Sequence, residues 1–201
     1  MKLIFATGNE NKMREIREIM EGLPFEILSM KEAGLFREID ETGETFEENA
    51  LLKVRAIGPQ EDAVILADDS GLSIAALGGG PGVHSSRFLG TDTPYELKNR
   101  YLLDRMAGLR GKERAAWYTS AVAMLFPDGS EAVTTGKMVG EIALKPAGTN
   151  GFGYDPIFFL PEYQKTAAEI TPIEKNRISH RGEAFGKVRG ILRGYLEKSG
   201  V

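Results

Sequence analysis

Two adjacent carboxylates, Asp68 and Asp69, follow the apolar run Ala63 to Ala67 and precede Ser70 and Gly71. A continuous apolar run of this length reads as a strand buried on both faces of a sheet. The expectation is that it stops at the acids, with Ser70-Gly71 turning the chain. The carboxyl end of a buried strand is where open α/β sheets hold ligands, and carboxylates so close to a core need partners. The chemistry on offer is metal binding and general-base catalysis. Side chains alternate along a strand, so only one of the two acids points into a given crevice. An acidic turn without function is the competing reading.

A second candidate lies at the start of the chain. The strand Leu3 to Ala6 leads into Thr7-Gly8-Asn9-Glu10-Asn11-Lys12, after which Met13, Ile16, Ile19 and Met20 recur at helical spacing up to Gly22. Free N–H groups at such a helix start, with the Asn9 amide and the Lys12 ammonium, suit a phosphate. The loop lacks the Gly-Lys-Ser/Thr ending of a Walker motif, and a capped turn with a surface lysine is the alternative. Six acids fall within residues 38–48. Within them Thr45-Phe46-Glu47-Glu48 forms a capping box for a helix carrying Ala50, Leu51, Val54 and Ile57. Asn49 and Lys53, one turn apart, share a face of that helix.

The remaining elements must position these groups. A strand is expected at Phe25 to Leu28, another at Leu72 to Leu77, and a turn at Gly78 to Gly82. A helix from Thr93 to Met106 is expected to use Thr93 as N-cap, Pro94 at its first position and Glu96 in a capping box. Ala115 to Phe126 and Glu131 to Met138, joined by Pro127-Asp128-Gly129, read as a hairpin on which Trp117 and Tyr118 pack. The glycine-rich stretch Gly148 to Pro156 precedes a strand at Ile157 to Leu160 and offers Phe152 and Tyr154 for stacking, with Asp155 at the strand entrance. No helix follows it, which excludes a dinucleotide fingerprint. Thr171 to Glu174 caps a short helical turn with Lys175, and Ser179-His180-Arg181 precedes the last helix. His180 suits hydrogen bonding better than metal ligation, since His84 is the only other histidine. On the last helix Gly182, Gly186, Gly190 and Gly194 form a stripe, read as an exposed face rather than a packing seam.

Composition narrows the classes. The 201 residues are 42% hydrophobic, contain no cysteine and carry a net charge of −4. One α/β domain of two lobes spanning residues 1–201 is expected, with no disulfide or thiolate site. The acidic balance argues against a nucleic-acid partner. No apolar run reaches the length of a membrane span, and a cytoplasmic location follows as the default.

Taken together, Thr7-Gly8-Asn9-x-x-Lys12, Glu41-Thr42-Gly43-x-Thr45-Phe46-x-x-Asn49, Ala67-Asp68-Asp69-Ser70-Gly71-Leu72, Gly151-Phe152-Gly153-Tyr154-Asp155-Pro156 and Ser179-His180-Arg181 resemble the inosine triphosphate pyrophosphatase family. The resemblance is collinear over nearly the whole chain. It implies a homodimeric, Mg2+-dependent hydrolase that cuts ITP, dITP and XTP to the monophosphate and pyrophosphate. It further implies an elongated bilobed α/β fold with a central mixed sheet flanked by helices and the active site in the cleft between lobes. Asp69 and Glu41, or Asp40 in place of the latter, would hold the metal. Asp69 would activate water, with Asp68 sharing that role. Thr7, Gly8, Asn9, Glu10, Asn11, Lys12, Lys53 and Ser70 would hold the triphosphate. Phe152, Gly153, Tyr154, Asp155, Lys175, His180 and Arg181 would read the base, since hypoxanthine and xanthine present a C6 carbonyl and an N1–H where adenine inverts that pattern. A nucleotide sensor without turnover and a phosphatase releasing the terminal phosphate are the rival expectations.

Overall fold

The computed structural model describes residues 1–199, with side chains up to Glu197. Twelve principal elements follow in order: β1 Lys2–Phe5, α1 Glu10–Ile19, β2 Glu26–Ser29, α2 Phe46–Ile57, β3 Ala63–Ile74, α3 Tyr95–Arg105, β4 Ala115–Leu125, β5 Glu131–Ile142, β6 Phe158–Leu160, β7 Lys165–Thr166, α4 Pro172–Ile178 and α5 His180–Ser199. The strands form one sheet in the order β2-β1-β3-β4-β5-β6-β7. β1 pairs parallel with both β2 and β3, whereas β6 pairs antiparallel with β5 and β7. The sheet is therefore mixed, and the α/β class expected from the sequence holds.

By internal contacts the chain divides into two compact units. The first comprises residues 1–69, 120–136 and 180–201, and the second residues 70–119 and 137–179. In the first unit the alternation of β1 and β3 sends Leu3, Phe5, Val64 and Leu66 to a core with Met13, Ile16 and Met20 of α1 and Phe185, Val188 and Leu192 of α5. Ile4, Ala6, Ile65 and Ala67 face the opposite way, toward Ala50, Val54 and Ile57 of α2. Burial on both faces explains why Ala63 to Ala67 carries no polar residue. The second unit has its own core, in which Leu72, Ile74, Leu102, Met106, Tyr118, Ile157 and Phe158 meet. Two buried cations of that unit serve main-chain carbonyls: Arg114 donates to Met106, Leu109, Ile142 and Ala143, and Lys98 to Ser86.

Several boundaries differ from expectation for reasons of packing. β3 does not end at the acids but runs through Asp68-Asp69-Ser70-Gly71 to Ile74. Leu72 and Ile74 are fully buried, and the apolar contacts they gain outweigh the turn preference of Ser-Gly. The strand expected at Leu72 to Leu77 is the end of β3 followed by a 3-10 turn at Ala75–Leu77. Helix α3 has Pro94, not Thr93, at its N-cap, with no side-chain cap, because the Thr93 hydroxyl donates to the Leu89 carbonyl at 2.6 Å. β5 extends to Ile142, and Asp155 opens a 3-10 turn before the short β6. The capping boxes at Thr45 and Thr171 form as read. A Cβ on Gly186, Gly190 or Gly194 would meet nothing within 4 Å, so at these three positions the stripe is an open face.

Candidate functional site

In the first unit, helices α1, α2 and α5 and the loop carrying Glu41 bring five charged side chains to the two acids in the middle of β3. Asp68 and Asp69 point to opposite sides, as the alternation requires, and each has its own company. Asp68, with no side-chain exposure, takes the Lys12 ammonium at 2.8 Å, the Arg181 guanidinium at 3.4 Å and the Ser120 hydroxyl at 2.5 Å. Arg181 is itself clamped by Glu15, a buried residue of α1. Burial raises the Asp68 pKa, but Lys12 and Arg181 beside it overcome that effect and hold the carboxyl far below the usual carboxylate range. Asp68 is thus a fixed anion. It organises cations and makes a poor proton acceptor.

Asp69 is different. Its Oδ1 lies 2.7 Å from Lys53 Nζ and its Oδ2 3.4 Å from Asn49 Nδ2. Burial pushes its pKa up, and Lys53 and Lys12 only partly pull it back. A carboxylate with a raised pKa is the better general base. The same Lys53 ammonium lies 2.7 Å from Glu41 Oε1. Burial lowers the Lys53 pKa, yet Asp69 and Glu41 reverse this and the net shift is upward. Helix α2 therefore reaches both acids through one lysine.

The loop before α1 supplies the exposed edge of this cluster. Asn9 caps α1 by accepting the Lys12 N–H at 3.1 Å, and Thr7 Oγ1 accepts the Asn9 N–H at 3.1 Å. Gly8, Asn9, Glu10 and Asn11 are exposed, so the helix start is open to an anion. The Lys12 ammonium is drawn in by Asp68, 2.8 Å from its carboxylate, with 15% of the side chain exposed. Burial drives the Lys12 pKa down despite that carboxylate.

In the second unit the glycine-rich loop builds a smaller cluster. Asp155 Oδ2 accepts from Lys175 Nζ at 2.6 Å and from the Phe152 N–H at 2.8 Å, while the Tyr118 hydroxyl lies 3.5 Å from Oδ1. Lys175 Nζ also stands 5.2 Å from the centre of the Phe152 ring. Gly151 has φ +72°, and a Cβ there would collide with the Asp155 carboxylate, which accounts for glycine at this point. Asn99 donates to the Gly153 carbonyl at 3.1 Å, and the Tyr154 hydroxyl to Ser85 O at 2.7 Å. Tyr95 packs edge-on against Tyr154 at 5.1 Å. The loop is fixed at both ends, and Phe152 in it is half-buried.

The structure thus gathers Lys12, Lys53, Asp68, Asp69, Glu41 and Arg181 in one unit, and Phe152, Gly153, Tyr154, Asp155 and Lys175 in the other. Arg181 and His180, read as base-side residues, stand in the first turn of α5 in the first unit, with Arg181 on Asp68. Ser70 falls in the second unit as the next residue of β3. Of the two neighbouring acids Asp40 and Glu41, Glu41 is the one that shares Lys53 with Asp69. Sequence reading missed Glu15, Ser120 and the contact made by Tyr118. Glu15 was findable, since a polar residue between Met13 and Ile16 on the buried face of α1 calls for a partner; Ser120 in a hairpin strand gave no signal.

The chain is thus a mixed-sheet α/β protein with a buried carboxylate and lysine cluster beside an exposed helix start. A model of the Ham1 family matches residues 3–191. The chain belongs to that family, and the resemblance read from the motifs is borne out. It is 41% identical over 198 residues to a dITP/XTP pyrophosphatase of Thermoanaerobacter pseudethanolicus, covering 98% of this chain and 100% of that protein. It is 44% identical over 197 residues to a dITP/XTP pyrophosphatase of Thermus thermophilus, covering 98% of this chain and 93% of that protein. Among solved structures, a HAM1 protein from Coxiella burnetii matches with a TM-score of 0.86 and 38% identity over 96% of this chain and 99% of that one.

Proposed function

We propose that this protein hydrolyses non-standard purine nucleoside triphosphates, ITP, dITP and XTP, to the monophosphate and pyrophosphate with the help of Mg2+. The observation that carries the reading is that Glu41 and Asp69 are already arranged around one positive charge, each 2.7 Å from Lys53 Nζ, beside a helix start open to phosphate. The names of relatives about 40% identical over nearly their whole length support the substrate class.

The donor set fits the metal. Mg2+ takes one or two carboxylates and completes its shell with water and phosphate oxygens, and among the described residues no group of three or more acid or histidine side chains is placed to hold an ion alone. Bound by Glu41 and Asp69, the ion would supply charge neutralisation on the phosphates and acidify a water. The chain's own residues do the rest. Lys12, Lys53 and the N–H groups of the Thr7 to Asn11 loop neutralise phosphate oxygens. Asp69 accepts a proton from the attacking water, whose elements add across the α–β anhydride as pyrophosphate leaves. Asp68 stays ionised and holds Lys12 and Arg181 in place. On the base side, Phe152 stacks on the purine while Asp155 and Lys175 meet its polar edge. Adenine would leave those groups mismatched, at about 1–3 kcal/mol for each buried group left unpaired.

Incubation of the purified protein with ITP and Mg2+, followed by product analysis, tests this. IMP with pyrophosphate is expected, and loss of turnover in EDTA. IDP with phosphate would identify a terminal phosphatase, and unchanged ITP a sensor. Assembly as a homodimer is part of the same proposal and is checked by light scattering. Among the described residues no helix is long and apolar enough to cross a membrane.

A further inference from the structure

Lys53 occupies the position that a cation shared by Glu41 and Asp69 would take. Its ammonium is 2.7 Å from Glu41 Oε1, 2.7 Å from Asp69 Oδ1 and 3.4 Å from the Asp68 carbonyl oxygen. An ammonium has three donors, and three oxygens surround it. The lysine is 10% exposed and its two carboxylate partners 24% and 7%, so the pairs are shielded rather than surface contacts.

The frame that holds the two acids does not depend on the lysine. Asp69 is fixed by β3 and by Asn49 Nδ2 on its other oxygen. Asn49, fully buried, also grips Gly43, two residues beyond Glu41: its Oδ1 accepts the Gly43 N–H at 2.8 Å and its Nδ2 donates to the Gly43 carbonyl at 3.4 Å. A Cβ on Gly43 would come within 2.7 Å of Glu48 Cβ, so this close clasp needs glycine. Remove the ammonium, and Asp69 stays fixed while the Asn49–Gly43 clasp still anchors the backbone two residues from Glu41.

We propose that Lys53 is a built-in placeholder for the divalent cation: its ammonium fills the shared position between Glu41 and Asp69 until a nucleoside triphosphate arrives, so that metal enters as the metal–nucleotide complex and not ahead of the nucleotide. The inference rests on the reading of Glu41 and Asp69 as metal ligands. Its physical ground is the cost of uncoupling a shielded pair. A free metal ion must displace the ammonium and leave it without a partner, which is unfavourable in a partly dry site. A triphosphate brings anionic oxygens of its own, so the displaced ammonium exchanges carboxylate partners for phosphate ones and the exchange conserves its ion pairing. The arrangement also spares the protein a bound, activated water when no substrate is present.

The test uses Mn2+ as probe, with calorimetry and electron paramagnetic resonance on the full chain. Wild type without nucleotide is expected to bind Mn2+ weakly, and a non-hydrolysable imido analogue of ITP to strengthen that binding. Lys53→Met, similar in length and uncharged, is expected to bind Mn2+ about tenfold tighter or more in the absence of nucleotide, while Lys53→Arg stays weak. Circular dichroism checks that the Met variant is folded, and should it not be, the wild-type arm decides by itself. Tight Mn2+ binding by nucleotide-free wild type overturns the proposal, as does equal affinity of wild type and a folded Lys53→Met. If the analogue brings metal into wild type yet Lys53→Met gains nothing, only the placeholder fails. If no Mn2+ binds under any condition and hydrolysis survives EDTA, the metal reading of the site fails, and the placeholder with it.

Discussion

Both clusters set a buried carboxylate against a lysine, yet they differ in charge balance and in what surrounds them. In the first unit Asp68, Asp69, Glu41 and Glu15 face Lys12, Lys53 and Arg181, one acid more than cations, beside an exposed loop. In the second a single pair, Asp155 with Lys175, is 3% and 5% exposed and lies against the ring of Phe152. A surplus of acid beside open N–H groups suits the proposed pairing of a metal with a chain of phosphates, whose charges offset one another. A neutral pair next to an aromatic face suits an uncharged ring whose edge carries donors and acceptors. The comparison teaches that the same ion-pair chemistry serves charge in one place and pattern in the other.

The largest effect expected from breaking this division is in turnover. Asp69→Asn keeps the side-chain volume but removes the proposed base and metal ligand, and kcat for ITP should fall about 10³-fold or more. Its raised pKa gives the sign of the pH dependence: the rate falls on the acid side as Asp69 takes up a proton, at a pH where Asp68 remains ionised. A pH profile of kcat/KM is the check, and an acid limb unchanged in position by any substitution around Asp69 would contradict the assignment.

Asp68→Asn tests the other half of the pair and should act on stability. The buried Lys12 would lose its anion and Arg181 would keep only Glu15, at about 3 kcal/mol or more of unfolding free energy, read from urea denaturation. Because the folded pKa of Asp68 is depressed, its contribution is present at neutral pH and is lost as pH falls below the unfolded value of about 4 and on through the folded one. Asp69→Asn should cost distinctly less, since Lys53 keeps Glu41. Equal losses would show that the two acids do not divide the work.

A comparison across the clusters sharpens the reading further. Lys12→Met should depress hydrolysis of ITP and ATP alike, whereas Lys175→Met should erode preference for ITP over ATP by roughly tenfold to a hundredfold, the equivalent of about 1–3 kcal/mol for an unpaired buried group. Competition assays with both nucleotides measure it, and identical selectivity in the two variants would erase the distinction. The smallest effect is a control outside both clusters. Gly190→Ala on α5, where the added methyl meets open space, should raise stability by about 0.5–1 kcal/mol from helix propensity alone and leave kcat unchanged.

What the sequence determined by itself is the short-range structure and the residue types of the site. The Asn9 cap, the capping boxes at Thr45 and Thr171, and the helix face shared by Asn49 and Lys53 depend on bonds between residues three or four apart, which local sequence decides almost alone. The acids at positions 68 and 69 were legible as chemistry for the same reason, since nothing local could satisfy them. Their partners were not. Ser120 and Arg181 reach Asp68, and Glu15 reaches Arg181, across 52 to 166 residues of chain, and only the folded sheet brings them there. Tertiary packing also decided that β3 continues past Ser70-Gly71, because Leu72 and Ile74 gain full burial there. Above all, it decided which acid is which. Asp68 and Asp69 have the same side chain and adjacent positions, and they acquire opposite pKa shifts only because a strand turns them toward different neighbours: three donors strong enough to overcome burial for Asp68, and too few to overcome it for Asp69.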